Sequence, residues 1–201
     1  MRFPLFLTLL TIFWAWLSFE LRKGSHKNDS FWKREAEANS VHKQPLDNLD
    51  YITIPIDSLP FFYGIDENLD EVQKTVTDLA SQPIVNLSNY TNTELKLQYG
   101  PANLTRLSEY DQNFTVLVRT LYKWGELLSR LGYEKEAVQV LEFAVSIRSD
   151  VTAGYLLLGT LYQKQGTPEK IDTLILAASS LDTLLTDNLI KQLNALRSRN
   201  V

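Results

Sequence analysis

The sequence predicts an all-α protein: two helical hairpin repeats with flanking and capping helices, behind an N-terminal transmembrane helix. Three observations carry that expectation. First, "LYKWGELLSRLGYEKEAVQVLEFA" and "YLLLGTLYQKQGTPEKIDTLILAA" hold glycines in register: Gly125 and Gly159 lie 34 residues apart, as do Gly132 and Gly166. Second, from Ala102 almost to the C-terminus apolar residues recur at spacings of three and four, the period of one helix face. Third, Phe3–Phe19, "FPLFLTLLTIFWAWLSF", contains no charged side chain.

With 201 residues the chain suits one domain plus appendages. Its net charge of −4 gives no basic excess that would point to nucleic acid. The absence of cysteine excludes disulfides, thiolate catalysis and Cys-ligated zinc. His26 and His42 are the two histidines, both in a polar stretch, so no His-based triad or metal cluster is expected. Asp66, Glu67, Asp70 and Glu71 read as a solvated helix face. There is no Gly-rich phosphate loop, and no serine sits in a G-x-S-x-G context. The expectation is a protein without catalytic, cofactor-binding or metal-binding residues, and not an enzyme.

The segments follow in order. Residues 1–22 read as a transmembrane anchor, near the roughly 20 apolar residues that cross a bilayer. Trp14 and Trp16 lie toward one end, where amphipathic rings favour the interface. A cleaved signal peptide is the rival, but its apolar core is shorter and ends in a small-x-small site, whereas this run ends in "WLSFELRK". Arg22, Lys23, Lys27, Lys33 and Arg34 follow the run and only Arg2 precedes it, which favours a cytoplasmic body. Five sequons, at Asn28, Asn86, Asn89, Asn103 and Asn113, carry little weight in an Asn- and Thr-rich chain.

Residues 23–60 read as a juxtamembrane linker and an extended, proline-containing segment. Within it, "SFWKREAEAN" suits one or two helical turns capped by Ser30. Phe31 and Trp32 beside Lys33 and Arg34 fit either an anionic leaflet or the folded body. Pro55 and Pro60 hold "LDYITIPIDSLPFF" extended, as a strap on the folded surface or a strand for a partner. Residues 61–117 form a helical N-terminal cap region. There "IDENLDEVQKTVTDLAS" puts Leu69, Val72, Val76 and Leu79 on one face, and a short helix near 93–99 stops at Gly100 and Pro101. The run from Leu104 to Gly132 is longer than a typical helix, so a break is expected near Asp111 to Asn113. Helices are then expected at 133–147, 152–165 and 168–181. Residues 186–201 form a C-terminal capping helix with Leu189, Ile190, Leu193 and Leu196 on one face.

Laying Val118–Val151 over Thr152–Leu185 matches Leu121 with Tyr155, Trp124 with Leu158, Leu127 with Leu161, Leu128 with Tyr162 and Ala144 with Ala178. Glycine in mid-helix costs roughly 1 kcal/mol against alanine, so Gly125 and Gly159 suit a close helix crossing. Gly132 and Gly166 suit helix C-terminal caps, and Pro168 suits a first helical turn. This pattern over residues 118–185 resembles the tetratricopeptide repeat, a 34-residue helix–turn–helix. The pairs Trp124–Gly125 and Leu158–Gly159, and the series Ala137, Leu141, Ala144 and Ile171, Ile175, Ala178, carry the resemblance. Ile171 departs from it, as do Ser149 and Thr183 where a closing proline is usual. The whole layout is similar to small bacterial membrane-anchored repeat proteins of no established activity.

The resemblance implies a protein–protein interaction scaffold whose groove is lined by the first helix of each repeat. In the first repeat those positions are Arg119, Tyr122, Glu126 and Arg130. In the second they are Ala153, Leu156, Thr160, Gln163 and Lys164. Arg119, Arg130 and Lys164 could pair with a carboxylate of a peptide or protein partner. The alternative is an extracytoplasmic, membrane-tethered repeat protein in envelope assembly or secretion. Nucleic acid is not expected as a partner.

Overall fold

The computed structural model describes residues 3–181 and 183–198, apart from the side chains of 3–6 and 20–28. The described residues form eight α-helices, two short 3-10 turns and no named strand. The helices are α1 (Phe3–Ser40), α2 (Glu67–Leu79), α3 (Asn92–Tyr99), α4 (Leu104–Arg130), α5 (Glu134–Ser146), α6 (Thr152–Lys164), α7 (Glu169–Ser179) and α8 (Thr186–Ser198). The chain divides into two compact units, one of Met1–Asn48 with Tyr90–Thr105, the other of Leu49–Asn89 with Arg106–Val201.

In the first unit α3 packs against the C-terminal part of α1. The α3 start is a reciprocal cap: the Thr91 hydroxyl accepts from the Glu94 N–H, and the Glu94 carboxylate accepts from the Thr91 N–H at 2.9 Å. Glu35 of α1 accepts from both Thr93 and Lys96 of α3. Asn103 is fully buried and donates to the Gln44 and Tyr99 carbonyls, both at 2.7 Å. A side chain committed in this way cannot act as a sequon acceptor.

One sequence expectation is corrected in this part of the chain. The stretch 23–40 is helical and continuous with the apolar run, not a linker with a separate turn, so Ser30 lies inside α1 rather than at a helix start. Gly24 weakens a helix without breaking it, and the Lys-, Arg-, Glu- and Ala-rich residues beyond it favour propagation. Moreover, no helix among the described residues is long and apolar enough to cross a membrane. The expected span, residues 1–22, lies partly outside the described residues.

In the second unit the proline-containing segment is a strap. Its Ile52 N–H donates to the Ile84 carbonyl at 2.9 Å, and Tyr51 and Val85 form an isolated antiparallel bridge. Gln73 of α2 is fully buried and grips the Phe62 backbone as a strand would, accepting from its N–H and donating to its carbonyl, both at 2.6 Å. Ile54 and Leu59 then join Leu69, Val72 and Val76 of α2 and Val118, Leu121 and Trp124 of α4 in one apolar cluster. The Phe61 ring sits 4.9 Å from the Trp124 ring, and Phe62 stacks on Tyr133 at 5.1 Å.

The expected break at 111–113 is absent: α4 runs unbroken through it. The polar residues that suggested a break point sideways instead. Asp111 accepts from the Leu87 N–H at 3.0 Å, and Asn113 donates to the Pro83 carbonyl at 3.0 Å, while Phe114 and Leu117 are buried. They fasten the 83–87 loop to the helix flank.

The hairpins α4–α5 and α6–α7 carry equivalent features 34 residues apart. Leu121, Trp124, Leu127, Leu128, Ala137 and Ala144 are buried, and so are Tyr155, Leu158, Leu161, Tyr162, Ile171 and Ala178. Both first helices end in the same motif. Gly132 (φ +89°) donates to the Ser129 carbonyl and Tyr133 to Leu128, while Gly166 (φ +69°) donates to Gln163 and Thr167 to Tyr162. That pair of bonds needs a left-handed residue, which glycine supplies without a β-carbon penalty. α8 packs on both α6 and α7, with Leu189 and Leu193 buried beneath it. The Arg197 guanidinium holds the far end of α8 to Asp172 of α7.

Candidate partner-binding surface

The residues expected to line the groove occupy α4 and α6, and the structure treats the two helices differently. On α4, Arg119 stands beside Glu71, Val72 and Thr75 of α2. One turn further on, the Tyr122 hydroxyl donates to Glu126 at 3.2 Å, which pushes the phenol up, desolvation contributing most and the Glu126 charge next. Arg130 is exposed in the last turn. Arg119 and Arg130 are eleven residues apart, so at 1.5 Å per residue about 16 Å of helix separates them.

On α6 most of the expected wall faces α8, and Lys164 is exposed. Leu156 and Thr160 face Gln192, Ala195 and Leu196 of α8. Gln163 donates to the Leu196 carbonyl at 3.2 Å, and Thr160 donates back to the Leu156 carbonyl at 2.8 Å. Lys164 pairs with Glu134 at the start of α5, at 2.9 Å. The exposed members of the expected surface are Arg119 and Arg130 on α4 and Lys164 on α6, while Tyr122 and Glu126 are half-buried.

A second concavity, which the sequence did not reveal, lies between α5, α6 and α7. It has a volume of about 350 Å³, with Val145, Leu158, Leu174 and Ala177 in its wall and Glu142, Tyr162 and Lys170 at its polar edge. The Tyr162 hydroxyl donates to Glu142 at 2.8 Å, Lys170 donates to the same carboxylate oxygen at 3.2 Å, and the Lys170 ammonium lies 5.1 Å from the Tyr162 ring centre. Burial, reinforced by the Glu142 hydrogen bond, drives the Tyr162 phenol well above its usual range. One signal of this feature was present in the chain: Tyr162 brings a hydroxyl to a position where the other hairpin has Leu128. Glu142 and Lys170 carried no signal, because their partnership crosses hairpins out of the 34-residue register.

Among the described residues no group of three or more His, Asp or Glu could hold a metal ion. These surfaces offer apolar walls, hydrogen bonds and single charges, which suit binding. No family model, no curated protein and no solved structure matches this chain.

Proposed function

We propose that the protein is a membrane-tethered scaffold whose paired hairpins, of the tetratricopeptide-repeat type, hold a peptide or protein partner. The observation that carries the tether is the described part of α1. Leu7, Leu9, Leu10, Ile12, Phe13, Trp14, Trp16 and Phe19 are between 42% and 67% exposed. At about 100° per residue these positions fall on every side of the helix, and a helix apolar all round belongs in a core or in lipid. The charge-free sequence Phe3–Phe19 supports insertion, and the basic residues that follow it support a cytoplasmic body.

What supports the scaffold is the repetition itself: equivalent burial and equivalent helix ends at 34-residue spacing. Stacked hairpins of this kind present extended binding surfaces. Because α8 lies over the second hairpin's first helix, the partner docks on the α4 side, across Tyr122, Glu126 and Arg130. The role is binding rather than catalysis.

The test is site-specific photo-crosslinking in native membranes, with the full chain carrying the probe at Glu126, at Arg130 or at Lys191. Discrete protein adducts from the α4 positions, and none from Lys191 on α8, are expected. Equal adducts from all three sites, or none from α4, would overturn the docking side.

A further inference from the structure

The helix α5 closes in the same way as α4 and α6, but on a different residue. Arg148 donates to the Val145 carbonyl at 2.9 Å and Ser149 to the Ala144 carbonyl at 3.0 Å, the pair of bonds that Gly132 and Gly166 make possible elsewhere. Arg148 therefore sits at φ 58°, the one non-glycine residue with positive φ among those described. A β-carbon is penalised in this region, and such departures concentrate where the side chain is needed.

The Arg148 side chain borders a polar cleft of about 380 Å³ that the scaffold reading leaves unused. Asp50 and Thr53 of the strap, Asn86 and Asn89 of the loop before α3, and Ser146 with Arg148 at the end of α5 line it. Its walls are fixed by two hydrogen bonds: the Ile52 N–H to the Ile84 carbonyl at 2.9 Å, and the Leu87 N–H to the Asp111 carboxylate at 3.0 Å. The Asn86 carbonyl oxygen accepts from the Ser88 N–H and hydroxyl, so its amide nitrogen is left for a ligand. Asp50 and Arg148 are exposed, and neither takes part in an ion pair among the described residues.

We propose that this cleft binds a small zwitterion, an α-amino acid or a dipeptide, with its carboxylate on Arg148 and its ammonium group on Asp50. One cleft carrying one guanidinium, one carboxylate and two carboxamides selects for that chemistry. A dianion would meet Asp50, and a simple amine would meet Arg148. The guanidinium takes a carboxylate through two parallel N–H bonds, while Asn86 and Asn89 serve the remaining polar atoms. The volume lies near the lower end of the range for small-molecule sites. This site does not depend on the scaffold reading.

The test is calorimetric titration of the full-length protein in detergent micelles with glycine and with glycylserine, each compared with its N-acetylated and its C-terminally amidated form. Saturable binding of a free zwitterion is expected, weakened about tenfold or more when either end is blocked. The glycine and glycylserine arms separate an amino-acid site from a dipeptide site. Arg148→Gly should lower affinity about tenfold or more while leaving the melting temperature equal or higher, because the strained position is relieved. Asp50→Asn should remove the distinction between the free and N-acetylated forms. The proposal is overturned if neither zwitterion binds saturably, if the blocked forms bind as well as the free ones, or if Arg148→Gly binds like the wild type.

Discussion

Gly125 and Gly159 lie 34 residues apart and yet face different neighbours. A β-carbon on Gly125 would lie 2.7 Å from Leu141 Cγ, the branch point of a buried side chain on α5. One on Gly159 would lie 3.1 Å from Leu193 Cδ2, the movable tip of a side chain on α8. Gly125→Ala should therefore lower stability by roughly 1–3 kcal/mol through overpacking. At Gly159→Ala the helix-propensity gain of about 1 kcal/mol offsets the smaller clash, leaving stability near neutral. Thermal melts of the two variants check this, and equal losses would mean that both glycines meet the same kind of surface. Gly132→Ala and Gly166→Ala should each cost roughly 1–2 kcal/mol, since both force a β-carbon into the left-handed region. The sequence located all four glycines through their spacing. It could not say that Gly125 meets Leu141 rather than the small Ala144, because the partner of a mid-helix glycine depends on how two helices cross.

Helix ends followed their local signals closely, and helix continuity did not. The Gly100, Gly132 and Gly166 stops and the Leu69–Val72–Val76–Leu79 face were readable, because each is set within a few residues, whereas the Thr91–Glu94 cap was not singled out. Asp111 and Asn113 misled because their partners, Leu87 and Pro83, lie more than twenty residues away in sequence. Asp111→Ala and Asn113→Ala should accordingly leave α4 helical and loosen the 83–87 loop, a change that amide hydrogen exchange resolves segment by segment. The junction of α1 and α3 has a pH signature. Hydrogen bonds from Lys96 and then Thr93 hold the Glu35 carboxyl below its ordinary 4.5, and the Thr91 N–H, then its hydroxyl, do the same for Glu94. A depressed carboxyl stabilises the folded form above its unfolded value, and that stabilisation is lost as pH falls through the folded value. Exchange protection of α3 should therefore hold at neutral pH and decline below about 4.5. Glu35→Gln should flatten that decline.

At the scale of the whole molecule, the all-helical class was legible from apolar periodicity, and the matching helix ends from Gly132 and Gly166. The surfaces were less so. Leu156, Thr160 and Gln163 looked exposed on a helical wheel, yet α8 lies across them; a wheel describes one helix and not what is laid over it. The 350 Å³ cleft escaped for the complementary reason, since its walls come from three helices whose lining residues share no sequence period. α1 raises the largest question of this kind, because exposed Trp14, Trp16 and Phe19 are costly in water. The central claim, that this apolar helix tethers a folded scaffold to a bilayer, is tested most directly by washing membranes that contain the full chain with alkaline carbonate. Wild-type protein should stay in the pellet. The double change Leu10→Lys with Phe13→Lys should release it, with the melting transition of the helical body unchanged. Recovery of the wild-type protein in the supernatant, or equal retention of the double variant, would contradict the tether.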